Sequence, residues 1–364
     1  MLTLVEPTLL LDKVKCLQNI HAIVAKAVKH KVVLRPHFKT HQSHTIGGWF
    51  RDAGVSSITV SSLKMAEYFA ADGWKDITVA FPLNIHEADR INYLTANIQL
   101  NVLVVDAATI DKLAAITPHT TGIFIEVDTG YHRTGINPAD IKSIDAVLTA
   151  IQKYPHMQFK GFLAHAGHSY KLNHEPDKLT AIHTTSISPL IALKKKYLSS
   201  YPDLIISTGD TPTCSLADDF TGVDEIRPGN LVFYDLAQHR IGSCRLEQIA
   251  IAMACPVVAS YPERNEIIIY GGAVHFSKDY SYLPDGTLHY GKVVKLHGNG
   301  WEITDTGMYI KSLSQEHGIV HAPKELAEKI RIGDFIGVLP IHACLTANEM
   351  KAYTTLEGEK ITRL

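Results

Sequence analysis

The sequence predicts an α/β protein: a (β/α)8 barrel of the TIM type followed by a mainly β C-terminal domain. Three observations carry this expectation. Short β-rich runs alternate with helix-like segments from residue 30 to about 235, the alternation repeats eight times, and polar residues gather just past the ends of the runs. At 364 residues the chain has room for a barrel of roughly 200–250 residues plus a smaller domain.

The candidate strands are residues 31–36, 57–61, 76–81, 99–105, 122–127, 159–164, 204–207 and 224–227. A helix over 12–31 precedes the first, and amphipathic stretches such as 63–71, 85–96, 138–154 and 179–199 lie between the others. Within 138–154, Ile141, Ile144, Val147, Leu148 and Ile151 recur at helical spacing. After about residue 240 the texture changes to strand-like runs (249–260, 266–270, 291–296, 319–321, 335–339) separated by Gly, Pro, Asn and Asp turns, and only 323–329 reads as helical. The expected domains are therefore 1–240 and 241–364, with residues 1–11 free to pack with the C-terminal part instead.

Hydrophobic residues make up 46% of the chain and charged residues 20%, with a net charge of −2. No basic stripe interleaves with aromatics, which argues against nucleic acid or a membrane surface as partner. No apolar run approaches the roughly 18 residues of a membrane span. The opening residues lack a basic segment followed by an apolar run, so no signal peptide is expected. Five cysteines, odd in number and without a C-x-x-C pair, suit a reducing cytoplasm.

Catalytic groups of such barrels sit where the strands end. The first run ends in Arg35-Pro36-His37-Phe38-Lys39-Thr40-His41. Positive neighbours would lower the Lys39 amine's pKa, one route to a Schiff-base lysine. The fifth run leads into Asp128-Thr129-Gly130-Tyr131-His132-Arg133, and the sixth into His165-Ala166-Gly167-His168-Ser169-Tyr170. The seventh ends in Thr208-Gly209-Asp210-Thr211, where small and hydroxylated residues suit a phosphate. Asp210 would repel that phosphate unless it points away. In the C-terminal part, His342-Ala343-Cys344 follows a strand-like run. On an extended segment residues two apart share a face, so imidazole and thiolate could grip one metal ion, with zinc favoured. Gln315-Glu316-His317 reads either as a source of an acid–base histidine or as a polar loop.

Together these segments resemble the family of metal-dependent D-serine dehydratases and D-threonine aldolases, which share the alanine-racemase fold. The resemblance runs from about residue 30 to 350 and implies pyridoxal 5'-phosphate carried by Lys39. It also implies cofactor contacts from Arg133, Tyr170 and the loop Thr208, Gly209, Asp210 and Thr211, the family more often having a small residue where Asp210 stands. It implies Zn2+ or another divalent metal on His342 and Cys344, and a homodimer. Within the family a cysteine at the metal pair goes with dehydratases, whereas aspartate goes with aldolases. Cys344 therefore points to β-elimination from a small D-3-hydroxy amino acid such as D-serine. Retro-aldol cleavage to glycine and an aldehyde, with His317 as a candidate base, is the alternative. A racemase has no use for the metal pair, and a non-catalytic cofactor carrier would resemble the barrel alone.

Overall fold

In a computed structural model the structure describes residues 4–298 and 300–364; residues 1–3, part of the N-terminal stretch read above, and Asn299 lie outside the described residues. The chain forms two compact units, His21–Gly229 with Leu364, and Asn230–Arg363 together with the residues up to Ile20. The expected boundary at 240 falls inside the second unit. The reason is local: Ala250 N donates to Phe233 O at 2.8 Å and Ala237 N to Ile341 O at 3.1 Å, which ties the segment after Asn230 to the β-rich part.

The first unit is an eight-stranded parallel sheet formed by Val33–Leu34, Ser57–Val60, Asp76–Pro82, Gln99–Val104, Thr121–Glu126, Met157–Ala164, Ile205–Thr208 and Glu225–Ile226. From Ser57–Val60 onward each strand pairs with the next in sequence, and Val33–Leu34 pairs with the last through Val33↔Glu225 and Leu34↔Ile226. The ring closes where Phe38 N donates to Thr59 O (2.8 Å) and Thr59 N to Pro36 O (2.9 Å). All six residues of Thr121–Glu126 are buried, as expected for a strand covered on both faces.

Helices fill the crossovers, and side-chain caps fix where several begin. Ser62, Asp106 and Asp140 accept from the backbone amides of Met65, Thr109 and Ser143, supplying partners for otherwise orphaned donors. The helix Ile141–Gln152 buries Ile144, Val147, Leu148 and Ile151 of the stripe read from the sequence, while Ile141 at its start is half-buried. The helix His44–Asp52 runs through Gly47 and Gly48, poor helix formers, and is held by buried Trp49 and Phe50.

The second unit is antiparallel in its centre. Six strands close on themselves in the order Ile251–Tyr261, Glu266–Tyr270, His317–His321, Tyr309–Leu313, Gly291–His297 and Phe335–Pro340, the last returning to the first. Thr8–Leu11 pairs antiparallel with Ile251–Tyr261 and parallel with Ala352–Thr355, which places these opening residues in this unit. The expectation of a single helix here is corrected. Besides Lys324–Ala327, the structure has Ala273–Phe276 and Ala343–Met350 as helices. No helix among the described residues is long and apolar enough to cross a membrane.

Candidate active site

At the barrel rim Lys39 stands in the turn Phe38–His41 immediately after the first strand. Phe38 is fully buried against Phe50, Phe69 and Trp74, with ring centroids 5.2, 4.9 and 5.2 Å away. That aromatic anchor pins the turn, and Lys39 projects from it exposed. Its amide donates to His37 Nδ1 (3.4 Å) and its carbonyl accepts from Gln42 Nε2 (3.1 Å).

Arg35 is not the cationic neighbour of Lys39 that the sequence suggested. Its guanidinium is buried and donates to Glu225 Oε2 (2.5 Å) and to both Asp76 carboxylate oxygens (2.7 and 3.0 Å). Two carboxylates consume its charge. The positive field at the rim has other sources. Burial, then Lys39, Arg227, His165 and Arg133, hold the His37 imidazole well below its usual range. Burial likewise depresses His165 to about 3, against a hydrogen bond between Nδ1 and Gly209 O at 2.8 Å. Lys39, Arg133 and Arg227 thus converge electrostatically on two neutral imidazoles.

Arg227 was missed as a side chain with a role. Its guanidinium is buried and donates to Ser207 Oγ (2.5 Å) and Ala164 O (2.7 Å). Its only signal in the sequence was a position at the end of the eighth run. Arg133 is exposed and stacks 5.1 Å over the Tyr131 ring. Gly167 lets that ring approach, since a Cβ there would lie 2.4 Å from it.

The loop after the seventh strand explains Asp210. Gly209 has φ +153, and a Cβ on it would lie 2.6 Å from the Arg227 amide nitrogen, so only glycine lets these two segments touch. Asp210 then caps the short helix Thr211–Leu216. Its Oδ1 accepts from Thr213 N and Ser169 Oγ (both 2.8 Å), and its Oδ2 from Thr213 Oγ1 (2.7 Å). The carboxylate is turned into the protein, which removes the conflict with an anion. Tyr170 reaches the same loop, its hydroxyl oxygen accepting from Thr211 N at 3.2 Å.

Substituting Asp210 by alanine should therefore lower stability more than it alters chemistry. Loss of the cap costs about 1 kcal/mol, and leaving buried donors of Ser169 and Thr213 unpaired adds about 1–3 kcal/mol. Thermal melting should show D210A falling by several degrees and D210N by less; equal melting temperatures for D210A and wild type would refute the assignment.

A phosphorylated aldehyde cofactor fits this rim. Three cations face a pair of neutral imidazoles, the nearby carboxylate of Asp210 is turned away, and the buried atoms Thr129 Oγ1 and His168 Nδ1 have no hydrogen-bond partner among the described residues.

In the second unit His342 and Cys344 are brought together, though not as the sequence suggested. The strand ends at Pro340, His342 is the extended residue before the helix Ala343–Met350, and Cys344 lies in that helix's first turn. A strand-to-helix junction, rather than one strand face, presents both donors. The His342 Nδ1–H donates to Asp279 Oδ2 at 2.8 Å, and imidazole and thiol are hydrogen-bonded to each other. Burial opposes the imidazolium, but Asp279, Cys344 and then Asp235 raise His342 to about 11. Asn230 Nδ2 donates to Asp235 Oδ2 (2.6 Å) and reaches Cys344 Sγ (3.6 Å), while Ala343 N donates to Asp235 Oδ2 (2.9 Å).

One nitrogen and one sulfur donor, the imidazole backed by a carboxylate, fit a divalent ion that keeps positions open for other ligands. Among the described residues no group of three or more His, Cys, Asp or Glu converges as a closed structural site requires. His317 opens the strand His317–His321 with an exposed side chain, and its carbonyl accepts from Ser314 N. Among the described residues, no hydrogen bond, ion pair or ring contact joins it to His342. Neighbouring Glu316 instead lies 3.9 Å from His275. Asp279 and Asp235 had no signal in the sequence; Asp279 lies 63 residues from its partner.

Comparison with known proteins bears on both units. Residues 11–237 match the family described as "Alanine racemase, N-terminal domain", and residues 250–356 the family described as "Putative serine dehydratase domain". The chain is 31% identical over 360 residues to a D-serine dehydratase of Dictyostelium discoideum, covering 92% of this chain and 89% of that one. It is also 31% identical over 373 residues to the D-threo-3-hydroxyaspartate dehydratase of Delftia sp. (strain HT23), covering 99% and 96%. The solved structure of that Delftia enzyme superposes with a TM-score of 0.91 at 29% identity, covering 100% of this chain and 98% of the other.

Proposed function

The chain belongs to the D-serine dehydratase-like family of fold type III pyridoxal-phosphate lyases, and from that premise we propose that it dehydrates a D-3-hydroxy amino acid, D-serine first, to a keto acid and ammonia. The observation that carries the reading is an exposed lysine at a cationic barrel rim combined with a His342–Cys344 donor pair backed by Asp279. A similar solved structure supports the second half, since a D-threo-3-hydroxyaspartate dehydratase with a cysteine-to-alanine substitution is described as being in the metal-free form.

In this scheme Lys39 holds the cofactor through its amine. Arg133 and Tyr170 flank it, and the backbone of Thr208, Gly209, Asp210 and Thr211 receives the phosphate, Asp210 contributing main chain only. When bound, the cofactor supplies an aldehyde carbon that captures amines and a ring that accepts electron density. The Lys39 amine takes the proton from the substrate's Cα. Arg227 stays fixed by Ser207 and Ala164, holding positive charge beside neutral His37 and His165. His342 and Cys344 would hold zinc or another divalent ion, supplying a Lewis acid for the β-hydroxyl. Breaking the Cα–H and Cβ–O bonds releases water, and hydrolysis of the resulting enamine gives keto acid and ammonia. His317 has no role in this scheme.

The test is a D-amino acid screen of the metal-loaded holoenzyme that reads keto acid and glycine in parallel. Pyruvate from D-serine, or oxaloacetate from D-threo-3-hydroxyaspartate, is the expected product. Glycine from D-threonine without 2-oxobutyrate would replace this reading by retro-aldol cleavage.

A further inference from the structure

We propose that Asp279 is a positioning residue for the His342–Cys344 pair: its carboxylate fixes the imidazole ring so that Nε2, and not Nδ1, is presented to a divalent ion. This inference rests on the metal reading above and extends it to a residue in a different stretch of the chain.

The geometry is specific. His342 Nδ1–H donates to Asp279 Oδ2 at 2.8 Å, which commits that nitrogen and its proton. An imidazole so held keeps one tautomer and one ring orientation and becomes a better electron donor through its other nitrogen. The segment bearing Asp279 is itself anchored. Phe276 O, three residues earlier, accepts from Thr346 Oγ1 at 3.0 Å, and Thr346 is fully buried on the helix that carries Cys344. Asp279 N donates to Ser277 Oγ at 3.2 Å, which shapes the turn between. The carboxylate and the donor pair are therefore referred to one helix, and the ring cannot drift from the thiol without breaking these ties.

The opposite side of the pair is held differently. Asp235 is buried, and Asn230, Gln238 N and Ala343 N all donate to it. It grips the backbone between the two donors, and Asn230 reaches the thiol. Among the described residues, Asp279 is the one carboxylate hydrogen-bonded to the imidazole ring. Both side chains of the contact are about 40% exposed, His342 41% and Asp279 38%, so replacing Asp279 opens no core cavity.

The experiment uses full-length holoenzyme stripped of metal by chelator dialysis, with zinc affinity measured by competition against a chromophoric chelator. Wild type, H342A, D279N and D279A are compared, with melting temperature followed in parallel. D279A should bind zinc about 10–100-fold more weakly at an unchanged melting temperature. D279N keeps an acceptor oxygen but not the charge, and should fall between D279A and wild type. Wild-type affinity in D279A, alongside loss of binding in H342A, overturns the positioning role and leaves the metal pair standing. Equal zinc affinity in wild type and H342A overturns the metal reading and this inference with it.

Discussion

Replacing Lys39 by alanine is expected to lower keto-acid formation by about 10³-fold or more while leaving the fold intact. One amine is proposed to do two jobs, holding the cofactor and moving the Cα proton, and general acid–base work alone accounts for about 10²–10⁴ in rate. Lys39 is exposed and its turn is pinned by Phe38, so the substitution removes no packing. The melting temperature of the protein without cofactor should therefore match wild type. Reduction with borohydride should attach cofactor to wild type and not to K39A. Activity within about tenfold of wild type in K39A would remove Lys39 from the mechanism.

Replacing His342 or Cys344 by alanine should produce a different phenotype. Keto-acid formation should fall at least about 10²-fold, because a Lewis acid on the leaving hydroxyl supplies several kcal/mol of transition-state stabilisation. Cofactor absorbance should survive, since the residues proposed to hold the cofactor all lie in the other unit. Chelation should reproduce the defect in wild type, and added zinc should reverse it there but not in H342A. Full activity in C344A after exhaustive chelation would show that elimination proceeds without the pair. Persistence of D-threonine cleavage in either variant would separate the two reactions.

Much of this site was readable in one dimension. Most of the barrel strands lie in buried, β-rich runs bounded by turns, because a strand covered on both faces is largely apolar. Once those strands are placed, the rule that function gathers at their C-terminal ends puts Lys39, Tyr170 and the loop at Thr208 on one rim. His342 and Cys344 stood out because few residue types bind metals and these two are neighbours.

Other features were hidden for identifiable reasons. Spacing put Arg35 beside Lys39, but side-chain direction follows backbone geometry and carries Arg35 to Glu225 and Asp76. Cys344 was read on a strand because the apolar run before it does not mark where the strand stops, and there the helix Ala343–Met350 begins. The strand Tyr309–Leu313 is short and only partly buried, so it lacked a hydrophobic run to announce it.

By itself the sequence determined the barrel with its β-rich continuation, the candidate lysine and the candidate donor pair. These follow from local patterning and from chemistry that few side chains can perform. Only the tertiary structure decided that Asp210 turns inward as a helix cap, that Arg227 supplies rim charge and that Asp279 holds His342. The partners of Arg227 and Asp279 are distant in the chain, and the Asp210 carboxylate also receives Ser169 from another loop. Such contacts leave no periodic trace in sequence: a long-range hydrogen bond needs two groups to meet in space, and the fold alone determines where they meet.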